Sequence, residues 1–164
     1  MKILDKEQIT QKIKRLAYEI LESNYNETEL VLVGINNNGL GFAKMLMKQL
    51  TKISDVSITL KQIKMNPAAP VSNPVEINID PKELVNKVVI LVDDVANTGR
   101  TMFYAMKVFM DILPKKVETA VLIDRKHKSF PTEINYFGLS LATTMNEDIQ
   151  VFLQNANELA VHIR

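Results

Sequence analysis

Three stretches of this 164-residue chain run through apolar, largely β-branched residues without polar alternation: Leu30-Val31-Leu32-Val33-Gly34-Ile35, Val88-Val89-Ile90-Leu91-Val92 and Thr119-Ala120-Val121-Leu122-Ile123. A strand with one face in water alternates; an unbroken run fits a strand covered on both faces. Helical spacing separates these runs. Ile9, Ile13, Leu16, Ala17, Ile20 and Leu21 share a face over residues 5–23, with Asp5 and Gln8 spaced as a capping box. Phe42, Ala43, Leu46, Met47 and Leu50 do the same over 40–50, and a further helix is expected over about 101–113. Buried strands alternating with helices make βαβ units, so the expected fold is α/β: three layers, with a mainly parallel sheet flanked by helices. Shorter strand-like pieces occur near 134–137, 149–153 and 159–163.

The length argues for one domain, 1–164. Four of the six prolines crowd residues 67–81, so 61–81 reads as a flap or excursion from the core. With 46% apolar and 24% charged residues the chain lies outside the composition range of disorder. Its formal charge of +1 provides no molecule-wide field for nucleic acid or anionic membrane, so any phosphate affinity must be local. Cysteine is absent, excluding a thiolate nucleophile, and the two histidines, His127 and His162, are far apart in sequence. No long apolar run opens the chain, so a cytoplasmic protein without a membrane span is expected.

In parallel sheets ligands bind beyond the carboxyl ends of the strands, where this chain concentrates its glycines and acids. Gly34 to Gly39 has the first spacing of a Walker A loop, but Leu40-Gly41 stands where Lys and Ser/Thr belong. Gly39-Leu40-Gly41 begins a dinucleotide fingerprint, but Lys44 replaces its third glycine. The remaining pattern is Val88 to Thr101, an apolar run continued by Asp93-Asp94-Val95-Ala96-Asn97-Thr98-Gly99-Arg100-Thr101. Two strand-end carboxylates can accept from a vicinal diol, and the helix start after Gly99 can offer free amides and hydroxyls to a monophosphate. A solvated loop with capping acids uses the same residue types.

That segment resembles the phosphoribosyl-pyrophosphate (PRPP) signature of type I phosphoribosyltransferases, and the likeness covers most of the chain. The closest group by resemblance is the PyrR type, pyrimidine-operon regulators that are also uracil phosphoribosyltransferases; Val121 to Lys128, Pro131 and Tyr136-Phe137-Gly138 carry that likeness. The resemblance implies transfer of a phosphoribosyl group from PRPP to a nucleobase, uracil ahead of a purine, giving a nucleoside monophosphate and pyrophosphate. Asp93 and Asp94 would hold the ribose and, mostly through water, Mg2+; Val95 to Thr101 would bind PRPP and its 5-phosphate. Asn36, Asn37, Asn38 and Gly39 would form the pyrophosphate loop, and Asp124, Arg125, Tyr136 and Phe137 the base site. A homodimer is expected, and RNA is a further candidate partner.

The chain departs from that pattern in three places. PyrR-type relatives usually carry Lys and Arg in the pyrophosphate loop, where this chain has three Asn, and charge-assisted contacts are roughly twice as strong as neutral ones. Asn97 stands where relatives have Asp or Tyr, and an amide cannot act as a base. Leu60 to Lys64 replaces the flap sequence of relatives, with Lys61 or Lys64 left to approach pyrophosphate. The alternative reading is therefore a nucleotide-sensing or RNA-binding regulator with weak or no catalysis. The basic clusters Lys115-Lys116 and Arg125 to Lys128 read as solvated surface, or as the face such a regulator would offer RNA.

Overall fold

In the computed structural model, which describes residues 1–164, the three apolar runs form the centre of one sheet. β2 (Glu29–Ile35), β5 (Val88–Ala96) and β6 (Lys116–Arg125) lie side by side and parallel. β3 (Ser57–Lys64) and β7 (Tyr136–Leu141) extend the sheet in the same direction, and β4 (Glu76–Ile77) closes one edge antiparallel to β3. The order is β4-β3-β2-β5-β6-β7. From β2 the chain runs outward to β3 and then returns to β5 on the opposite side, so strand order reverses between β2 and β5. A crevice opens at the strand ends there.

α1 (Lys6–Ser23) starts on the reciprocal Asp5–Gln8 capping box, which satisfies two amides of its first turn. With α2 (Asn36–Ile53) it covers one face of the sheet, packing Ile9, Leu16, Phe42 and Leu46 among Leu30, Leu32, Ile90 and Leu122. α3 (Arg100–Ala105) and the turn after it cover the other face, where Met102, Ala105 and Phe109 meet Val31, Val89, Leu91 and Val121. Alternate residues of each central strand thus anchor opposite layers. Full burial of each large apolar side chain contributes roughly 1.5–3 kcal/mol.

A second sheet, order β1-β9-β8, forms a hood from β1 (Lys2–Leu4), β8 (Ile149–Phe152) and β9 (Ala160–Ile163), paired antiparallel. β8 and β9 match the strand-like pieces of the sequence. β1 was not expected, because three residues are too few to display a period. The single helix expected over 101–113 ends instead at Ala105 and tightens to a 3-10 turn over Met106–Phe109. Pro114 disfavours helical backbone at Leu113, the residue before it, and so sets the far limit of this helical stretch. β3 continues to Lys64, so irregular chain begins only at Met65, and Ile77 returns to pair with Ile63. No helix is long and apolar enough to cross a membrane.

Candidate active site

β5 brings the acids to the crevice by a longer route than the sequence suggests. Val92 does not end the strand: Asp93 pairs in register with Val121, and Ala96 with Asp124. Only Asn97, Thr98 and Gly99 lie between strand and helix. Gly99 has φ 84°, and a Cβ there would fall 2.2 Å from Thr132 Oγ1, so the turn admits no side chain. The N–H groups of Asn97, Thr98 and Gly99 donate to nothing in the chain. Together with Asp93, Arg100, Thr101 and Met102 these residues line a small cavity of about 50 Å³. Successive unpaired amides around a left-handed residue form a concave site suited to an anion.

Asp93 and Asp94 meet no lysine or arginine within ion-pair distance. Asp93 Oδ1 accepts from Asp94 N–H at 2.9 Å, and Asp94 Oδ1 from Val95 N–H at 2.9 Å. Burial pushes the Asp93 carboxyl well above the ordinary carboxylate range, and the neighbouring Asp94 charge pushes it further. Asp94 is also raised by burial, with its contacts to Asp93, Val95 and Asn38 opposing the rise. Two adjacent oxygen donors with an uncompensated negative charge fit a hard dication such as Mg2+. No third His, Asp or Glu joins them, so further ligands would come from substrate oxygens or water.

The Asn-rich segment is the first turn of α2 rather than a separate loop, with Asn36 at φ 53° directly after Ile35. α2 descends so closely on β5 that a Cβ on Gly39 would lie 2.6 Å from Val92 O. Asn36, Asn37 and Asn38 thereby share a cavity of about 330 Å³ with Asp93, Asp94, Thr101 and Pro67. Two of their amides also tie down the end of β3 and the start of the excursion: Asn36 Oδ1 accepts from Met65 N–H at 3.0 Å, and Asn37 Oδ1 from Gln62 Nε2 at 3.3 Å. Arg100 reaches over the same segment, its guanidinium donating to Pro67 O at 2.8 Å. Lys64 lines a neighbouring cleft with Asn36 and Asn37.

The expected base residues divide. Asp124 stands at the end of β6 beside Ala96, at the crevice. Arg125 turns instead to Thr143 Oγ1 and Thr144 O. Tyr136 is not brought to the crevice: it pairs with Ala120 at the start of β7, four positions before the Asp124–Ser140 pair. It is buried in the core, and its hydroxyl donates to Glu118 at 2.8 Å. Burial and the Glu118 carboxylate push that hydroxyl up to about 12. Phe137 O is occupied by the Arg15 guanidinium at 2.8 Å. Two groups were missed. Val151, Leu153 and Gln154 of the hood face Asp94, Asn37 and Asn38 across a recess of about 100 Å³. Lys128, grouped with surface cations in the sequence, inserts its ammonium beside Asp124.

With the geometry defined, comparison with known proteins decides the family. The phosphoribosyl transferase domain family matches residues 1–156. The chain belongs to that family. Relatives include the bifunctional protein PyrR of Pediococcus pentosaceus, 32% identical over 165 residues with 95% of this chain and 93% of the relative covered. The PyrR of Pelotomaculum thermopropionicum is 37% identical over 162 residues, covering 93% and 88%. The hypoxanthine phosphoribosyltransferase of Trypanosoma cruzi superposes with TM-score 0.80 at 17% identity, over 99% of this chain and 94% of that one. A hypoxanthine-guanine phosphoribosyltransferase of Bacillus anthracis gives 0.78 at 19% identity, over 97% and 95%. At those identities the structural likeness speaks for the fold alone. The family's fold is the one expected from the three apolar runs.

Proposed function

We propose that this chain transfers the phosphoribosyl group of PRPP to a nucleobase, uracil ahead of a purine, in a Mg2+-dependent reaction. The observation that carries the reading is the pair of uncompensated carboxylates, Asp93 and Asp94, beside a cradle of unpaired amides at the sheet crevice. In this reading the cradle and the Thr98 and Thr101 hydroxyls hold the 5-phosphate, while the carboxylates hold the ribose hydroxyls. The bond from C1 to the pyrophosphate oxygen breaks, a ring nitrogen of the base bonds to C1, and the base N–H proton leaves with pyrophosphate. Positive charge develops on the ribose ring in between, and in this reading the two carboxylates stabilise it. Bound Mg2+ would neutralise charge on the pyrophosphate. Kinship with PyrR proteins favours uracil, and the hood recess beside Asp94 is the space for the base.

A second reading, a nucleotide sensor with little catalysis, is favoured by the Asn36 and Asn37 side chains, which bond to Met65 and Gln62 and supply no cation for pyrophosphate. Binding of RNA has less support. Lys115 and Lys116 pair with Glu27 and Glu118, and Arg125 and Lys128 turn inward, which leaves Lys126 and His127 of that cluster. Pyrophosphate release from PRPP and Mg2+, assayed with uracil, hypoxanthine, guanine, xanthine and adenine, separates the readings. Release with uracil is expected. Tight binding of uridine monophosphate without release for any base would overturn the enzyme reading in favour of the sensor.

A further inference from the structure

The carbonyls behind the amide cradle are all held by one short segment. Lys128 Nζ donates to Asn97 O at 3.1 Å and approaches Ala96 O at 3.5 Å. The next two residues continue the contact: Ser129 N–H and Phe130 N–H donate to Thr98 O at 2.9 and 3.1 Å. Each carbonyl belongs to a planar trans peptide whose N–H points the opposite way. Fixing the carbonyls of Ala96, Asn97 and Thr98 on the 128–130 side therefore directs the N–H groups of Asn97, Thr98 and Gly99 away from that side. These are the three amides that have no partner in the chain.

The ammonium is itself anchored. It pairs with Asp124 Oδ1, donates to Arg125 O at 2.7 Å, and its side chain is only 24% exposed. Asp124 and Arg125 end β6, the strand that pairs with β5. Lys128 thus ties the rigid end of the sheet to the back of the turn.

Resting on the reading of the cradle as the 5-phosphate site, we propose that Lys128 is a positioning residue: by drawing in the Ala96 and Asn97 carbonyls it presets the amides that receive the phosphate. It does not touch the phosphate itself. Preorganised donors need no reorientation when the anion arrives, so loss of the strut weakens binding of any 5-phosphate without removing a donor to it.

The test uses ribose 5-phosphate as probe, followed by amide shifts of residues 97–101 in the full chain. Wild type is expected to shift at Asn97, Thr98 and Gly99. Lys128→Met keeps the aliphatic stem and is expected to raise the Kd about tenfold, the scale of a lost set of charged hydrogen bonds. Lys128→Arg, which retains cationic donors, is expected to stay within about threefold of wild type by the same reasoning. Asp124→Asn, which keeps the ammonium but loosens its anchor, serves as a second variant that should weaken binding if Lys128→Met fails to fold. Unchanged affinity in folded Lys128→Met, or in Asp124→Asn where Lys128→Met does not fold, overturns the strut. So does equal weakening by Lys128→Arg and Lys128→Met. Absence of shifts at 97–101 in wild type would instead overturn the phosphate site on which the strut rests.

Discussion

Asp93 is the residue whose local cost is clearest. Its half-buried carboxyl lies beside Asp94, no cation offsets it, and its pKa in the folded chain is raised well above the ordinary 3.8. Between 3.8 and that raised value the folded chain binds more protons than the unfolded chain, so stability falls as pH rises through the window and stays lower above it. Asp93→Asn removes the charge while keeping the size. It is expected to raise Tm at pH 8 by about 3 °C, roughly what 1 kcal/mol does in a chain of this length, and to lose the advantage as both proteins are acidified through the window. Equal melting at pH 8 would show that the pair is already compensated. Asp93, Thr98 and Gly99 stand out in the sequence because acids, a hydroxyl and a glycine fall together just past an apolar run. Tyr136 and Lys128 exchanged their expected places for a physical reason. A residue's type says what it can bond to, but not whether it stands at the start or the end of its strand. Tyr136 falls at the start of β7 and enters the core; Lys128 falls just past the end of β6 and reaches the turn.

At the scale of elements, the strands were readable wherever burial on both faces left an unbroken apolar run, as in β2 and β5. Boundaries set by other contacts were not. Asp93 to Ala96 look like loop residues, yet β6 supplies partners that carry β5 through them. Of the two glycines near the start of α2, only Gly39 is required by a close contact. A Cβ on Gly39 would meet Val92 O at 2.6 Å and Asp93 Oδ1 at 3.3 Å, whereas one on Gly41 would meet nothing within 4 Å. Gly39→Ala must therefore push the first turn of α2 away from Asp93, with an expected loss of about 1–3 kcal/mol, the usual range for overpacking. Gly41→Ala, two residues along the same helix, is expected to gain about 0.5–1 kcal/mol from the lower entropy of the unfolded chain. Urea denaturation of the two variants checks both signs. A neutral Gly39→Ala would mean that α2 does not sit against β5 as described.

At the scale of the whole molecule, the layer that covers the second face of the sheet is thin and incompletely buried. α3 is six residues long, and the turn after it buries Phe109 but leaves Met110 71% and Leu113 81% exposed. Phe103 of α3 is also 39% exposed. It adjoins Tyr104 and Phe130, with ring centroids 5.3 and 5.4 Å away. Scattered apolar side chains on a surface need no explanation, but several exposed ones on a thin layer leave a face that a second copy can cover. The homodimer expected from the family resemblance would place Met110 and Leu113 between two copies. Sedimentation equilibrium is expected to give a dimer at micromolar concentration. Met110→Glu combined with Leu113→Glu is expected to give a folded monomer, because both side chains are already in water in a single copy and their replacement opens no cavity. A monomeric wild type, or a charged double variant that still dimerises, would assign the contact to another face. If the variant is monomeric and binds ribose 5-phosphate as tightly as wild type, the cradle is complete within one chain. That is the outcome expected, since the contacts that orient its amides come from residues 124–130 of the same chain.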